Sequence, residues 1–318
     1  MKKLEKKSLL PEQISKINDS ISLKGFIDTH IHTSPDIKPR ILNDLEAAHK
    51  AKTEGMQAIV IKCHVEPTSG RALIAKNAMN IDVFGGICLN KSVGGFNPDA
   101  VEVTANMGGK FVWFPTISVR EMRNNLMNNN NNNYNNYISY NNSADNNASI
   151  TPKNVNISQK SNFGIFDPDY EELIESILHI IAQNDMVLAT GHLNPFEIFE
   201  LIDFAKSCGV KRILINHPLT GVVGATMEEQ KEMAKNAFLE QCFVACMPMH
   251  DNLNPDVMAE TIDYVGSKKC IMATDFGQKH NLTPIKGFKL FIKYLMDRGI
   301  SEKHINIMCS LNPRDLIY

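Results

Sequence analysis

Two histidines spaced two residues apart form the first pattern in this chain that suggests chemistry. The stretch GFIDTHIHTSPD, residues 25–36, places His30 and His32 at the end of an apolar run, shortly after Asp28. Residues two apart in a strand face the same side, so the two imidazoles would converge on one point. Imidazole is the commonest metal ligand, but two surface histidines in a loop would give the same pattern. The remaining chain must decide between a metal site and a surface pair.

Strand-like and helical segments, which must position these histidines, alternate regularly along the chain. Continuous apolar runs separated by segments of helical period are typical of a parallel sheet with crossover helices. Eight such units predict a (β/α)8 TIM barrel in the α/β class, with an open doubly wound sheet as the alternative. The strand-like runs are 25–31, 57–63, 82–89, 110–117, 186–191, 211–216, 242–249 and 269–276, and the helical patterns are 41–54, 69–79, 97–107, 168–183, 195–207, 228–239, 255–265 and 284–298.

The histidines concentrate where a barrel would place its functional residues, at the C-terminal ends of strands. Lys62 and Asp275 also follow predicted strands, the second and the eighth. Of the 10 histidines, six fall at predicted strand ends, namely His30, His32, His64, His192, His217 and His250, while His49, His179, His280 and His304 fall in helices or loops. This concentration favours the metal site over the surface pair.

The order of these residues resembles that of the amidohydrolase superfamily of metal-dependent barrel enzymes, from about Gly25 to Tyr318. The matching features are HxH on strand 1, histidines on strands 5 and 6, the aspartate of ATDFG on strand 8, and the closing SLNPRDLI. The resemblance implies His30, His32, His192 and Asp275 as metal ligands, with Asp275 also taking a proton from the attacking water. This mixed set of nitrogen and oxygen ligands suits Zn²⁺, with Mn²⁺ or Fe²⁺ as alternatives.

The fourth strand departs from one branch of that family. Binuclear members bridge two metals through a carboxylated lysine or a glutamate there, whereas this strand ends VWFPTIS without acid or lysine. The departure fits the mononuclear branch, which includes deaminases and decarboxylases, although Lys62 or His64 on strand 2 remains open as a substitute bridge. We expect Asp275, His217 and Lys62 to be catalytic, with His217 polarising or orienting the substrate.

Cationic groups follow the first three strands and predict a small anionic substrate. Arginine can clamp a carboxylate through two hydrogen bonds, although solvated surface charges would look the same in the sequence. The cationic residues after these three strands are Arg40, Lys62, His64, Arg71 and Lys91, and the expected substrate-binding residues are His64, Arg40, Arg71, Lys91 and His250. We expect a metal-dependent hydrolase whose activated water attacks a C–N or lactone/ester C–O bond. The alternatives are a mononuclear decarboxylase of a small carboxylic acid and a non-catalytic binding barrel.

Composition excludes several partners. The net charge is −2 and no basic stripe is present, which argues against nucleic acid. No apolar run approaches the roughly 20 residues of a membrane span, and no signal peptide is recognisable. Seven scattered cysteines without a CxxC motif predict free thiols in a reducing cytoplasm. A homo-oligomer is compatible with the sequence.

One segment differs from the rest of the barrel sequence. We divide the chain into an N-terminal arm, 1–22, and a barrel, 23–318, that a low-complexity loop interrupts at about 121–162. Within 124–147, 14 of 24 residues are asparagine. Such a composition buries too little apolar surface to offset the entropy of ordering, so it predicts a disordered insertion after strand 4.

This composition generates a first prediction. Replacing residues 124–160 with a short Gly/Ser linker should leave the melting temperature and the metal content nearly unchanged, as measured by calorimetry and elemental analysis. A loss of several kcal/mol in stability would show that the segment packs on the barrel.

Overall fold

A ring of parallel strands surrounded by helices forms the barrel in the computed structural model. The structure describes residues 21–119 and 168–318, so nearly all of the predicted N-terminal arm and the Asn-rich segment lie outside it. The strands are β1 (Ile27–His32), β2 (Ala58–Lys62), β3 (Asp82–Phe84), β4 (Gly86–Cys88), β5 (Phe111–Trp113), β6 (Val187–Ala189), β7 (Arg212–Asn216), β8 (Phe238–Cys242) and β9 (Cys270–Ala273).

The predicted (β/α)8 architecture is confirmed, with the third barrel strand divided into β3 and β4. Hydrogen-bonded pairing runs β1-β2-β3 and β4 through β9, all in parallel. Thr68 spans the break, because its hydroxyl donates to the Ile61 carbonyl (2.8 Å) and its amide donates to the Gly86 carbonyl (2.8 Å). The first and last strands close the ring, where the His32 amide donates to the Phe276 carbonyl at 2.7 Å.

Helices follow the strands and cover the outside of the ring. Several begin at side-chain caps that match their sequence, such as Asn194 before Pro195, which satisfy the free amides of the first turn. The helices are α1 (Asp44–Thr53), α2 (Ser69–Met79), α3 (Pro98–Asn106), α4 (Pro168–Gln183), α5 (Pro195–Ser207), α6 (Met227–Met233), α7 (Pro255–Val265), α8 (Pro284–Asp297), α9 (Glu302–Asn306) and α10 (Asn312–Ile317).

The apolar residues of the strands divide between two cores. The larger core lies between the ring and its helices. The smaller core fills the barrel interior, where Ile27, Val60, Phe111 and Trp113 pack together with Ile317 from α10. The interior is therefore packed with side chains below the strand ends, which leaves those ends as the place for polar groups.

A bulge in β1 changes which side chains point inward. The pairing of β1 with β2 shifts between Asp28 and Ile31, so two residues of β1 face one residue of β2. Ile31 packs in the outer core, whereas Thr29 and His30 both contact the buried Glu240. The bulge thus brings two consecutive residues, and His32 after them, to the inside of the barrel.

The predicted seventh strand was wrong. The apolar run 242–249 is a 3₁₀ turn at Phe243–Cys246 and the start of a loop, and the strand is β8, just before it. The preceding helix, expected over 228–239, ends at Met233. The strand escaped notice because Glu240 and Gln241 interrupt its apolar pattern, although both side chains are fully buried.

Within the two described segments, no helix has the length and apolar character needed to cross a membrane.

The packing of β4 against β5 generates a second prediction. A Cβ on Gly86 would lie 1.9 Å from the Phe111 carbonyl oxygen, so Gly86→Ala must displace backbone and should cost about 3 kcal/mol or more of stability. Gly70→Ala is the matched control, because its Cβ would meet only the flexible end of Met107. Urea denaturation of both variants measures the difference, and equal stabilities would contradict it.

Candidate metal centre

A buried carboxylate fixes the orientation of His30. The Glu240 side chain accepts hydrogen bonds from Thr29 Oγ1 (2.6 Å), His30 Nδ1 (2.9 Å) and Asn216 Nδ2 (2.7 Å). Burial raises the pKa of Glu240, but its interactions with His30, Thr29 and Asn216 outweigh burial and hold the pKa below its usual value. A carboxylate that is ionised can only accept, so Nδ1 of His30 carries a proton, and in the neutral ring Nε2 then has the lone pair.

That lone pair faces a second acceptor. Nε2 of His30 is buried without a hydrogen-bond partner among the described residues and lies 3.4 Å from Oδ1 of Asp275. Two electron-rich atoms with no proton between them repel each other, and a cation would remove that repulsion. In a tetrahedral zinc site with bonds of about 2.1 Å, ligand atoms lie about 3.4 Å apart. The His30–Asp275 pair therefore fits a metal ion.

His32 completes a three-residue cluster on the same aspartate. The ligand atoms of His30, His32 and Asp275 lie within 4.8 Å of one another, and His32 Nε2 is 3.0 Å from Asp275 Oδ1. Arg40 makes a long contact from its NH2 group to His32 Nδ1 at 3.4 Å. An arginine can only donate, so the His32 proton sits on Nε2 here, and metal binding would displace it.

The backbone at Asp275 is held in an unusual conformation. Its φ is 53°, a left-handed value that is uncommon for residues other than glycine. The next turn requires Gly277, where a Cβ would lie 1.9 Å from the His32 carbonyl. Burial raises the pKa of Asp275, but its interactions with His30 and His32 hold that pKa well below its usual value. The site therefore presents an ionised carboxylate to both histidines.

His217 presents a lone pair as well. The Thr220 hydroxyl has one proton and lies 2.8 Å from the His217 carbonyl and 3.0 Å from His217 Nδ1, so it holds the ring in place whichever of the two accepts that proton. Burial lowers the pKa of His217 to about 4, which keeps the ring neutral at pH 7. A neutral ring has one nitrogen that donates and one that accepts, so the expected role of His217 in polarising or orienting the substrate stays a prediction.

His64 and His192 complete a group of five imidazoles. The His64 ring stacks on His32 with centroids 4.9 Å apart, and His192 lies 5.0 Å from His217. Both rings are half-buried, and burial lowers their pKa well below the usual value. Ligand atoms of His192 do not join the three-residue cluster, so its assignment as a metal ligand stays a prediction.

Lys62 extends into this group from β2. Its side chain is 1% exposed, and Nζ lies 5.6 Å from the centroid of the Trp113 ring. Nζ has no hydrogen-bond partner among the described residues. The structure therefore places the expected catalytic lysine beside the predicted ligands.

Three expected substrate-binding residues are placed differently. All donor nitrogens of Arg71 are bonded to protein oxygens, of which Asp44 supplies two and Glu66 one. Lys91 is exposed in a 3₁₀ turn. His250 does not end a strand, because β8 ends at Cys242; it lies in an exposed turn with Nε2 3.3 Å from His280 Nε2. Arg71 is thus engaged in structure, whereas His250 lies within electrostatic range of Asp275: burial lowers the pKa of His250 and the charge of Asp275 opposes that shift.

The two expected substrate-binding residues nearest the cluster, Arg40 and His64, differ in their partners. Arg40 is bound to Asp36, whose Oδ2 lies 2.8 Å from NH2, and both side chains are buried. His64 Nδ1 lies 2.8 Å from Thr116 Oγ1, and Asn90 donates to the same oxygen at 2.7 Å. These contacts position Arg40 behind His32 and hold His64 at the mouth of the site.

The sequence analysis did not identify Glu240 or Asn216, nor Thr116 and Thr220, which contact the rings of His64 and His217. Glu240 carried a usable signal, since a lone glutamate in the middle of a buried parallel strand demands a partner. The threonines carried none, because a single hydroxyl in a loop gives no indication of which ring nitrogen it meets.

Comparison with known proteins identifies the family. Residues 25–240 match the model of a family described as "Family of unknown function (DUF6282)", which spans more than half of the chain. The chain belongs to this family. The matched range contains His30, His32, His217 and Glu240, while Asp275 lies beyond it. No curated protein matches the chain.

Solved structures share the fold at low identity. An amidohydrolase from Pseudomonas aeruginosa is 14% identical with a TM-score of 0.55, covering 97% of this chain and 98% of that chain. A mutant organophosphorus hydrolase from Deinococcus radiodurans is 12% identical with a TM-score of 0.55, covering 93% and 94%. An N-acetyl-D-glucosamine-6-phosphate deacetylase from Mycobacterium smegmatis is 13% identical with a TM-score of 0.54, covering 92% and 76%. These similarities confirm the barrel fold implied by the resemblance.

Burial of neutral His217 generates a third prediction. Its pKa is about 4 in the folded protein and about 6.5 when unfolded. Between these values the unfolded chain binds more protons, so metal-free protein should lose stability as the pH falls from 6.5 towards 4. The full loss from this group is about 3 kcal/mol, at about 1.4 kcal/mol per pKa unit.

Urea denaturation of the metal-free protein at several pH values measures this loss. His217→Gln should show a shallower fall than wild type, whereas His49→Gln, at an exposed position of α1, should behave as wild type. Equal pH dependence in all three proteins would contradict the prediction.

Proposed function

We propose that this protein is a metal-dependent hydrolase of the amidohydrolase type, acting on a C–N or lactone/ester C–O bond of a small anionic substrate. The observation that supports it most directly is the buried lone pair of His30 Nε2, held 3.4 Å from the Asp275 carboxylate by Glu240 on the opposite nitrogen. A histidine whose second nitrogen donates to a carboxylate is the usual arrangement around a protein-bound metal.

The ligand chemistry favours zinc, with Mn²⁺ or Fe²⁺ as alternatives. His30, His32 and Asp275 would hold the ion, with His192 as a further ligand. A bound divalent metal polarises a carbonyl and makes water a stronger acid. The seven free cysteines support a cytoplasmic setting for such an enzyme.

The chain's own residues supply the remaining chemistry. In hydrolysis, water adds to the carbonyl carbon, the C–N or C–O bond breaks, and the leaving group takes a proton. The Asp275 side chain is 14% exposed and ionised, so it can take the proton that the attacking water loses. His217 is kept neutral by burial, so one ring nitrogen accepts and the other donates, and either can orient the substrate or the water.

A mononuclear decarboxylase is the second candidate. It is supported by the end of β5, where residues 111–119 contain no acid or lysine that could bridge two metals. Loss of CO2 needs one metal and a held carboxylate and no attacking water. Assays on small carboxylates, amides and lactones that follow CO2 release and water consumption distinguish the two reactions.

The metal centre generates a fourth prediction. Protein purified without chelator should contain about one transition metal per chain by elemental analysis. His30→Ala removes the oriented lone pair and should abolish both metal retention and turnover, whereas the exposed His49→Ala should retain both.

Two tightly bound metals per chain would overturn the mononuclear assignment. Folded wild-type protein that contains no metal and takes up neither Zn²⁺ nor Mn²⁺ would overturn the proposed function itself.

A further inference from the structure

Lys62 carries a buried charge that nothing in the described chain neutralises. Its side chain is 1% exposed, and Nζ makes neither a hydrogen bond nor an ion pair with any described residue. An ammonium group has three N–H donors, and burying it without acceptors costs several kcal/mol. A binding partner that supplies acceptor atoms would recover this cost.

The ammonium group of Lys62 lies close to an aromatic ring and to the histidines of the site. Nζ lies 5.6 Å from the centroid of Trp113, whose ring lies in the barrel interior. After burial, the positive charge of Lys62 contributes to lowering the pKa of His64, His192 and His217. The ammonium therefore contacts the ring of Trp113 and lies within electrostatic range of the imidazoles at the mouth, of which His64 and His192 are half-buried.

The other cations of the region already have anions. Asp36 neutralises Arg40, and Asp44 and Glu66 neutralise Arg71. The donor nitrogens of Arg71 are all bonded to protein oxygens, and an anion bound at Arg40 would compete with its buried ion pair to Asp36. Lys62 offers its donors without such competition.

We propose that Lys62 and Trp113 form a subsite that binds a single carboxylate of the substrate next to the metal centre. This inference rests on the proposed function for the reaction, but it concerns binding and can be measured without turnover. One ammonium neutralises one negative charge, and the flat rings of Trp113, His64 and His192 suit a planar group. A phosphate dianion would require further donors, such as an arginine fork or a row of backbone amides, which the described contacts of this subsite do not include.

The chain contains its own reporter of this subsite. Trp113 is the only tryptophan, so intrinsic fluorescence comes from beside Lys62. We would titrate the zinc-loaded protein at constant ionic strength with acetate, with its neutral analogue acetamide, and with inorganic phosphate. Acetate should change the emission and saturate, acetamide should not, and phosphate should bind more weakly than acetate.

Matched lysine variants assign the signal to its source. Lys62→Met should weaken acetate binding at least about tenfold, the loss expected for one charge-assisted contact. The same variant should raise the melting temperature, because it removes an unpaired buried charge. Lys110→Met is the control: that lysine lies before β5, is bound to the Asp185 carbonyl at 2.6 Å, and should not affect acetate affinity.

The outcomes separate this inference from the proposed function. Acetate affinity that is equal in wild type and Lys62→Met would overturn the subsite, since the anion would then bind elsewhere. Tighter binding of phosphate than of acetate would overturn the carboxylate assignment. If the protein takes up no metal but metal-free protein still binds acetate through Lys62, the subsite stands and the hydrolase proposal fails.

Discussion

The buried carboxylate of Glu240 is the interaction on which the rest of the site depends. It joins three barrel strands, because it accepts from Thr29 and His30 on β1, from Asn216 on β7, and belongs to β8 itself. Replacing any one donor would leave an ionised group partly unsatisfied in the interior, which is costly. The same contact decides which nitrogen of His30 is protonated, so a structural bond across the barrel also fixes the chemistry at its mouth.

Backbone irregularities do the remaining positioning. The β1 bulge lets consecutive residues reach the interior, and the left-handed backbone at His217 and Asp275 turns both side chains at the ends of their strands. Such conformations are costly and persist where surrounding contacts enforce them. Here the enforcing contacts are Thr220 on His217 and the close approach of Gly277 to the His32 carbonyl. A regular barrel with these side chains would not bring their ligand atoms together.

Much of this arrangement could be predicted from the sequence. Buried parallel strands are continuous apolar runs, so the barrel and seven of its eight strands were located correctly, and the strand ends then indicated the proposed ligands His30, His32 and Asp275. The predicted seventh strand was misplaced because Glu240 and Gln241 interrupt its apolar pattern, and the error moved His250 to a strand end that it does not occupy. The expectation that Arg71 binds the substrate has a different difficulty. Its partners Asp44 and Glu66 come from other parts of the chain, and no local sequence pattern shows that a cation is already paired.

The ring closes between its first and last strands, and the proposed ligands lie on both sides of that seam. His30 and His32 leave the ribosome early, whereas Asp275 follows only after nearly the whole barrel has been made. During synthesis the nascent chain would therefore carry only part of the proposed site. High affinity would arise only when β1 and β9 join, so metal capture would report that the barrel has closed, and a bound ion would in turn stabilise the contact between β1 and β9.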